Sequence, residues 1–229
     1  MYVYGKNVAN EVLKNKEKIK KVYLSENFND LDITNNLKNL NVFVKTKKDL
    51  DKITKENHQG IVFDIEDYKY CELEELLEKE NPLIVILDHI VDPHNLGAII
   101  RTCEAAGVDG IIIPKDRSAL ITGTVMKTSA GTIDNVKICM VTNLTNTIKK
   151  LKKLGFWFIG TDMSGTDYKQ IDYNGKTCII IGSEGFGMAR IVKNECDFIA
   201  TIPMTGKVNS LNASVAAGII IFEAVSKRK

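Results

Sequence analysis

Three stretches of this chain set polar or charged side chains among apolar residues and glycines. In LDHIVDPHNLGAIIRTCEAAG, residues 87–107, Arg101 falls in a helical pattern with the apolar stripe Leu96, Ile99, Ile100, Cys103 and Ala106. An arginine inside an otherwise small and apolar helix is the best single clue in this stretch. Paired with Glu104 at i, i+3 it is an ordinary surface arginine, which this helix alone favours. Asn95 is placed to cap the helix and Gly107 to end it. In IIIGSEGFGMAR, residues 179–190, a strand runs into a glycine-rich turn and a helix. Glu184 in that turn can accept a hydrogen bond from a substrate, or merely put favourable charge near a helix N-terminus. In IPMTGKVNSLNASVAAGIIIFEA, residues 202–224, Lys207, Asn209, Ser210, Asn212 and Ser214 precede or open an apolar helix. Ser210 or Asn212 can cap it. The remaining amides and hydroxyls need partners, from the protein or from a ligand.

Several other chemistries are excluded by spacing. Glycines at 182, 185 and 187 do not make the GxGxxG dinucleotide fingerprint of a nicotinamide oxidoreductase. GlyLys at 206–207 is not a phosphate loop, because Thr201 stands where Gly is required and Val208 where Ser or Thr is required. Asp88, His89, Asp92 and His94 follow no metal-ligand pattern, and no metal is expected. The five cysteines, Cys71, Cys103, Cys139, Cys178 and Cys196, are scattered without a CxxC pair and read as reduced core thiols.

The elements that must carry these residues form two blocks. Residues 1–67 read as a small α/β unit: a short helix over 8–13, helices over 31–40 and 48–54, and strands at 21–25, 41–45 and 60–65. Residues 68–80, YKYCELEELLEKE, read as an acidic connector closed by Asn81-Pro82. From residue 81 the apolar runs 83–87, 110–113, 136–141, 156–160, 177–182 and 198–202 are short and continuous, with helical patterns between them. Such runs suit strands covered on both faces, so a largely parallel sheet with flanking helices. Ligands of such sheets sit beyond the carboxyl ends of the strands, where all three polar stretches lie.

Composition bounds the class. The chain of 229 residues is 44% hydrophobic and 26% charged, an ordinary globular balance. Residues 1–63 hold 12 Lys and 8 acids, 64–80 hold 2 Lys and 8 acids, and 81–229 hold 17 Lys/Arg and 13 acids. Two mildly basic blocks therefore flank an acidic one, which permits nucleic-acid binding without requiring it. No apolar run nears the roughly 18–20 residues that span a bilayer, and the start lacks a signal-peptide layout. The expectation is a cytoplasmic protein with no membrane partner.

Taken together, NLGAIIRTCEAAGVDGIII, IIIGSEGFGM and IPMTGKVNSLNASVAAGIIIFEA resemble, in order and spacing, the three motifs of the SpoU/TrmH group of SPOUT RNA 2′-O-ribose methyltransferases. YGKNVANEVL and HisGlnGly at 58–60 are similar to the RNA-binding extension of the bacterial 23S rRNA guanosine-2′-O-methyltransferase branch. The resemblance implies an α/β fold with a deep C-terminal trefoil knot, the SPOUT α/β-knot, over residues 81–229. It also implies a small α/β RNA-binding domain over 1–67, with 68–80 as linker. It implies S-adenosyl-L-methionine as methyl donor, RNA as partner and a homodimer whose active site takes residues from both subunits. Positions matching the family's cofactor residues are Gly182, Ile202 and Leu211, with Thr161, Ser183 and Met204 close by. Positions matching its catalytic and substrate residues are Asn95, Arg101, Glu184, Ser210 and Asn212. The alternatives are a tRNA ribose methyltransferase, an rRNA methyltransferase protecting against an antibiotic and, in another class, a non-catalytic RNA-binding or ribosome-assembly protein.

Overall fold

The computed structural model describes residues 1–208 and 210–228. The chain folds as two compact units, Met1–Lys69 with Ile121–Ile133, and Tyr70–Leu120 with Asp134–Lys229.

The first unit contains β1 (Tyr2–Tyr4), α1 (Lys6–Val12), β2 (Ile19–Ser25), α2 (Leu31–Asn36), β3 (Val42–Lys45), α3 (Lys47–Ile53) and β4 (Ile61–Ile65). Its sheet has the order β1-β4-β2-β3. β4 is antiparallel to both β1 and β2, and β3 runs parallel to β2. Alternation sorts the side chains: Val3, Val22 and Phe63 are fully buried, and Tyr4, Leu50 and Val62 form a second apolar cluster. Strand β1 was not expected, because three residues carry too little alternation to be read as a strand. α2 stops short of the expected 31–40, and Asn39 takes a left-handed φ of 70° beyond its end. The HisGlnGly triplet shapes the entry to β4. His58 is buried, accepts the Gly60 N–H at 2.9 Å through Nδ1 and meets Asp51 at 3.1 Å through Nε2.

The second unit holds a six-stranded sheet, all its pairings parallel: β5 (Leu83–Asp88), β6 (Gly110–Pro114), β7 (Ile138–Val141), β8 (Trp157–Asp167), β9 (Thr177–Gly182) and β10 (Phe198–Thr201). Strand order is β10-β8-β9-β5-β6-β7. Every residue of β5 is buried, which is why its sequence is a continuous apolar run. Each of its large aliphatic side chains contributes on the order of 1.5–3 kcal/mol by leaving water. In chain order the helices, one of them in the first unit, are α4 (Pro93–Ala106), α5 (Gly123–Thr128), α6 (Leu144–Lys153), α7 (Arg190–Lys193) and α8 (Ala213–Lys227).

These units differ from the expected boundaries 1–67, 68–80 and 81–229 in two places. α5 belongs to the first unit: Tyr4 Oη meets Thr124 Oγ1 at 2.8 Å, and Lys127 Nζ donates to the Asn57 carbonyl at 2.7 Å. The acidic stretch after residue 69 belongs to the second. Its Leu73–Leu77 turn buries Leu73 and Leu76, Glu72 and Glu75 form a capping box, and the Cys71 N–H donates to the Ile138 carbonyl at 2.9 Å. The acids face water while the leucines face the core, so the segment is amphipathic packing and not a solvated linker.

Candidate active site

The carboxyl ends of β8, β9 and β5 lie side by side, because the three strands are parallel neighbours. Asp88 is level with Gly182, and Gly160 with Ile180. The chain leaves β5 toward β6 on one side, and β9 and β8 lie on the other. The crevice where strand order reverses therefore opens between the segments that follow β5 and β9.

The segment after β5 starts α4. Asp92, not Asn95, caps this helix: its carboxylate accepts the His94 N–H at 3.0 Å, and Pro93 occupies the first turn. Asn95 is thereby freed from capping and lies buried one turn into the helix. Gly107 ends α4 in the left-handed conformation, as its sequence position suggests.

The segment after β9 is the glycine turn. Ser183 and Gly187 exchange backbone hydrogen bonds at 3.0 and 2.9 Å, which closes a tight loop around Glu184. Gly185 and Gly187 take φ of 87° and 67°, open to glycine at little cost. At Gly182 an added Cβ would lie 2.3 Å from the Gly187 backbone, so only glycine fits there. Asp88, fully buried, fastens the far end of this turn: its Oδ2 accepts the Ala189 N–H at 2.6 Å, and its Oδ1 meets His89 Nδ1. The sequence reading missed this role for Asp88. An acid closing a run as apolar as LIVIL was the available signal, since a buried carboxylate requires donors.

The third segment opens α8. Asn212 caps it, its Oδ1 accepting from Ser214 N at 3.0 Å, Ser214 Oγ at 2.6 Å and Val215 N at 3.4 Å. Its Nδ2 reaches in the other direction, donating to Asn95 Oδ1 at 2.9 Å and Glu184 Oε2 at 3.3 Å. Asn95 Nδ2 donates to the same Glu184 oxygen at 3.2 Å. Three residues, one from each polar stretch, thus form one closed network. The second Glu184 oxygen takes no hydrogen bond from a described residue and is free to accept one from a ligand.

The other candidates stand apart from this network. Arg101 is exposed on α4 and makes no ion pair with any described residue; the expected pairing with Glu104 is absent, and Glu104 instead accepts from Asn135 at 3.4 Å. Ser210 is exposed and makes no hydrogen bond with a described residue. Asn209 lies outside the described residues. Thr161, Gly182, Ser183, Ile202, Met204 and Leu211 are all half-buried. Thr161 and Gly182 lie at the sheet's carboxyl edge, where Thr161 Oγ1 donates to the Ile180 carbonyl at 3.1 Å, and Ile202 directly follows β10. The backbone at 203–208, 210 and 211 makes no hydrogen bonds with other described residues. Met204 and Leu211 are half-buried within this otherwise exposed stretch, and their open amides and carbonyls offer donors and acceptors of the kind a heterocyclic base needs.

Residues 82–222 match the SpoU rRNA Methylase family, and residues 2–71 match the domain described as RNA 2′-O ribose methyltransferase substrate binding. YacO of Bacillus subtilis (strain 168), assigned by name to the TrmH family of tRNA/rRNA methyltransferases, is 42% identical over 238 residues, spanning 99% of this chain and 96% of its own. An rRNA methyltransferase from Sinorhizobium meliloti, solved with AdoMet bound, superposes with a TM-score of 0.80 at 28% identity, over 97% of this chain and 85% of that one. AviRb, a SpoU methyltransferase from Streptomyces viridochromogenes, shares the fold at 22% identity with a TM-score of 0.81, over 99% of this chain and 89% of its own. A family match across most of the second unit, a relative aligned along nearly the whole chain and the shared parallel sheet agree: the chain belongs to the SpoU rRNA methylase family.

Proposed function

We propose that this protein transfers a methyl group from S-adenosyl-L-methionine to a ribose 2′-hydroxyl of structured RNA, and that its target is a guanosine of 23S rRNA. The observation that carries the reading is the Asn95–Glu184–Asn212 network, which joins three stretches distant in sequence at the carboxyl edge of a parallel sheet. Backbone groups beside Ile202, Met204 and Leu211, with Thr161, Gly182 and Ser183 at the strand ends, fit the cofactor by their open donors and acceptors. The deep C-terminal knot implied by the resemblance belongs to the same proposal. Assignment to guanosine of 23S rRNA rests on the resemblance of the first unit, since HisGlnGly is occupied in a turn.

Bound S-adenosylmethionine supplies a methyl on a sulfonium, already a good leaving group. The chain's residues then have two tasks, alignment and charge. Fixing the attacking oxygen in line can contribute on the order of 7–11 kcal/mol in favourable cases. Glu184, held by two amides, offers its free oxygen to a sugar hydroxyl. Arg101 holds the adjoining phosphate through its guanidinium and stabilises negative charge forming on the 2′-oxygen. Ser210, exposed and unbonded to described residues, is available to pass the proton to water.

The arginine also bears on assembly. It lies six residues after Asn95, and at about 100° per residue it projects roughly 120° away from the side on which Asn95 meets Glu184. An arginine aimed away from its own network suits the site of a second copy. α8, packed on α4, leaves Val215 and Phe222 half exposed at i and i+7 with Ile219 between them. A homodimer covering this stripe would bring Arg101 of one subunit to Glu184 of the other.

The test is transfer of labelled methyl to rRNA and tRNA from cells lacking the protein, followed by mapping of the modified ribose. Label in one 2′-O-methylguanosine of 23S rRNA is expected. Label confined to tRNA would replace the target, and no label together with no calorimetric binding of S-adenosylmethionine would refute enzymatic function.

A further inference from the structure

One face of the first unit's sheet carries a row of aromatic rings beside the buried Tyr4–Leu50–Val62 cluster, with the two end rings open to solvent. Tyr2 on β1, Tyr23 on β2 and Phe43 on β3 follow one another across the sheet, with β4 between the first two. Ring centroids are 6.3 Å apart for Tyr2–Tyr23, edge to face, and 5.9 Å for Tyr23–Phe43, tilted. Tyr2 and Phe43 are each 45% exposed. The register explains the row: Tyr23 lies opposite Phe43, and Tyr2 lies opposite Asp64, whose other neighbour is Lys21. On the opposite face, Val3, Val22 and Phe63 are fully buried. On the rings' own face Tyr23 packs against the Tyr4–Leu50–Val62 cluster, while Tyr2 and Phe43 at the ends of the row keep much of their surface in water, beyond what that cluster uses.

The charges around the row have one sign in excess. Lys21 shares the face with Tyr23, and Lys45 shares it with Phe43, two residues along each strand. Both are exposed, and neither forms an ion pair with a described residue. Lys79, Lys137, Lys150 and Lys193 in the second unit are all paired with carboxylates. Asp64 is the one acid of the row, and its side chain is mostly covered. Rings with open faces, flanked by unpaired cations, match the unstacked bases and phosphates of a single RNA strand. A duplex hides its base faces, and an apolar protein surface would leave the lysines without partners.

We infer that Tyr2, Tyr23 and Phe43 form a stacking platform for two successive unpaired bases of the RNA substrate, with Lys21 and Lys45 against the flanking phosphates. The inference rests on the proposed RNA methyltransferase reading and extends it to the form of RNA held away from the methyl-transfer site.

The experiment uses the full chain and a mixed-sequence 12-nucleotide RNA carrying fluorescein or, in a second version, 2-aminopurine. Phe43→Ala and Tyr2→Ala should each weaken single-strand binding about tenfold. They should also relieve the 2-aminopurine quenching seen with the native protein, while Phe43→Trp preserves both. Affinity for a duplex of equal length should not change. Lys21→Ala with Lys45→Ala should leave the quenching in place and lower the slope of log affinity against log salt by about 0.7 per lysine. Unchanged single-strand affinity in the Tyr2→Ala/Phe43→Ala double variant overturns the platform and leaves the row to a protein partner. Equal losses for single strand and duplex overturn it too. Calorimetry with S-adenosylmethionine on the same samples keeps the two readings distinguishable: retained cofactor binding with no ring effect refutes the platform alone.

Discussion

At the level of single residues, the network asks more of its side chains than hydrogen bonding in general. Asn212 uses both ends of its amide, one to cap α8 and the other to reach Asn95 and Glu184. Glu184 spends one oxygen on these amides and keeps the other open. Arg101 differs, since no described residue depends on it. Arg101→Ala is therefore expected to change stability by no more than about 0.5 kcal/mol and leave S-adenosylmethionine affinity in place. Methyl transfer should fall by about 10²–10³-fold or more, the effect of removing one group that stabilises a developing oxyanion. A thermal midpoint, a calorimetric titration and a single-turnover rate measure the three quantities separately. A wild-type rate would remove Arg101 from the mechanism.

Glu184 and Asn212 stood out because polar groups interrupted glycine and apolar runs. Asn95 stood out for a different reason, as a helix cap. The cap is Asp92, and the choice between them turns on where Pro93 starts the helix. Arg101 was singled out by its isolation, but its lack of a partner was not legible, because i, i+3 spacing to Glu104 permits a pair without enforcing one.

At the level of elements, the site depends on turns held in shape from below. The glycine turn is pinned by Asp88 at one end and excludes any side chain at Gly182. Gly182→Ala should force the Gly187 backbone aside, at a cost of about 1–3 kcal/mol, with the larger effect on methyl transfer because Glu184 moves with the turn. Asn212→Ala removes the cap of α8 and costs about 0.5–2 kcal/mol. Urea denaturation of both variants checks the ordering against activity. If Gly182→Ala melts and methylates like the native chain, the turn is not the rigid support described.

Strand and helix positions in the second unit were largely legible, since buried parallel strands appear as unbroken apolar runs. β8 extends to Asp167 beyond its apolar part because it pairs with β10 twice, with a register shift between Ile199 and Ala200. That late pairing engages polar residues, Thr166 and Asp167, which hydropathy cannot mark as strand.

At the level of the whole molecule, the roughly 120° between Asn95 and Arg101 around α4 leads to a prediction about assembly. If each site takes Glu184 from one subunit and Arg101 from the other, two inactive variants should complement. Arg101→Ala and Glu184→Gln, each inactive alone, should regain methyl transfer when mixed and allowed to exchange subunits. A mixed dimer then holds one site with both groups and one with neither. Persistent inactivity in a mixture shown to contain mixed dimers would place both groups in one subunit.

By itself the sequence determined the α/β class, the run of parallel strands, the family and the three stretches that carry the candidate site. Each is written in local periodicity or in residues adjacent along the chain. Only the tertiary structure decided that Asn95, Glu184 and Asn212 share one network and that Asp88 fastens the turn. It also decided that residues 121–133 belong with the first unit and that Tyr2, Tyr23 and Phe43 make one row. These depend on register and packing between residues far apart in sequence, for which a hydropathy pattern holds no record.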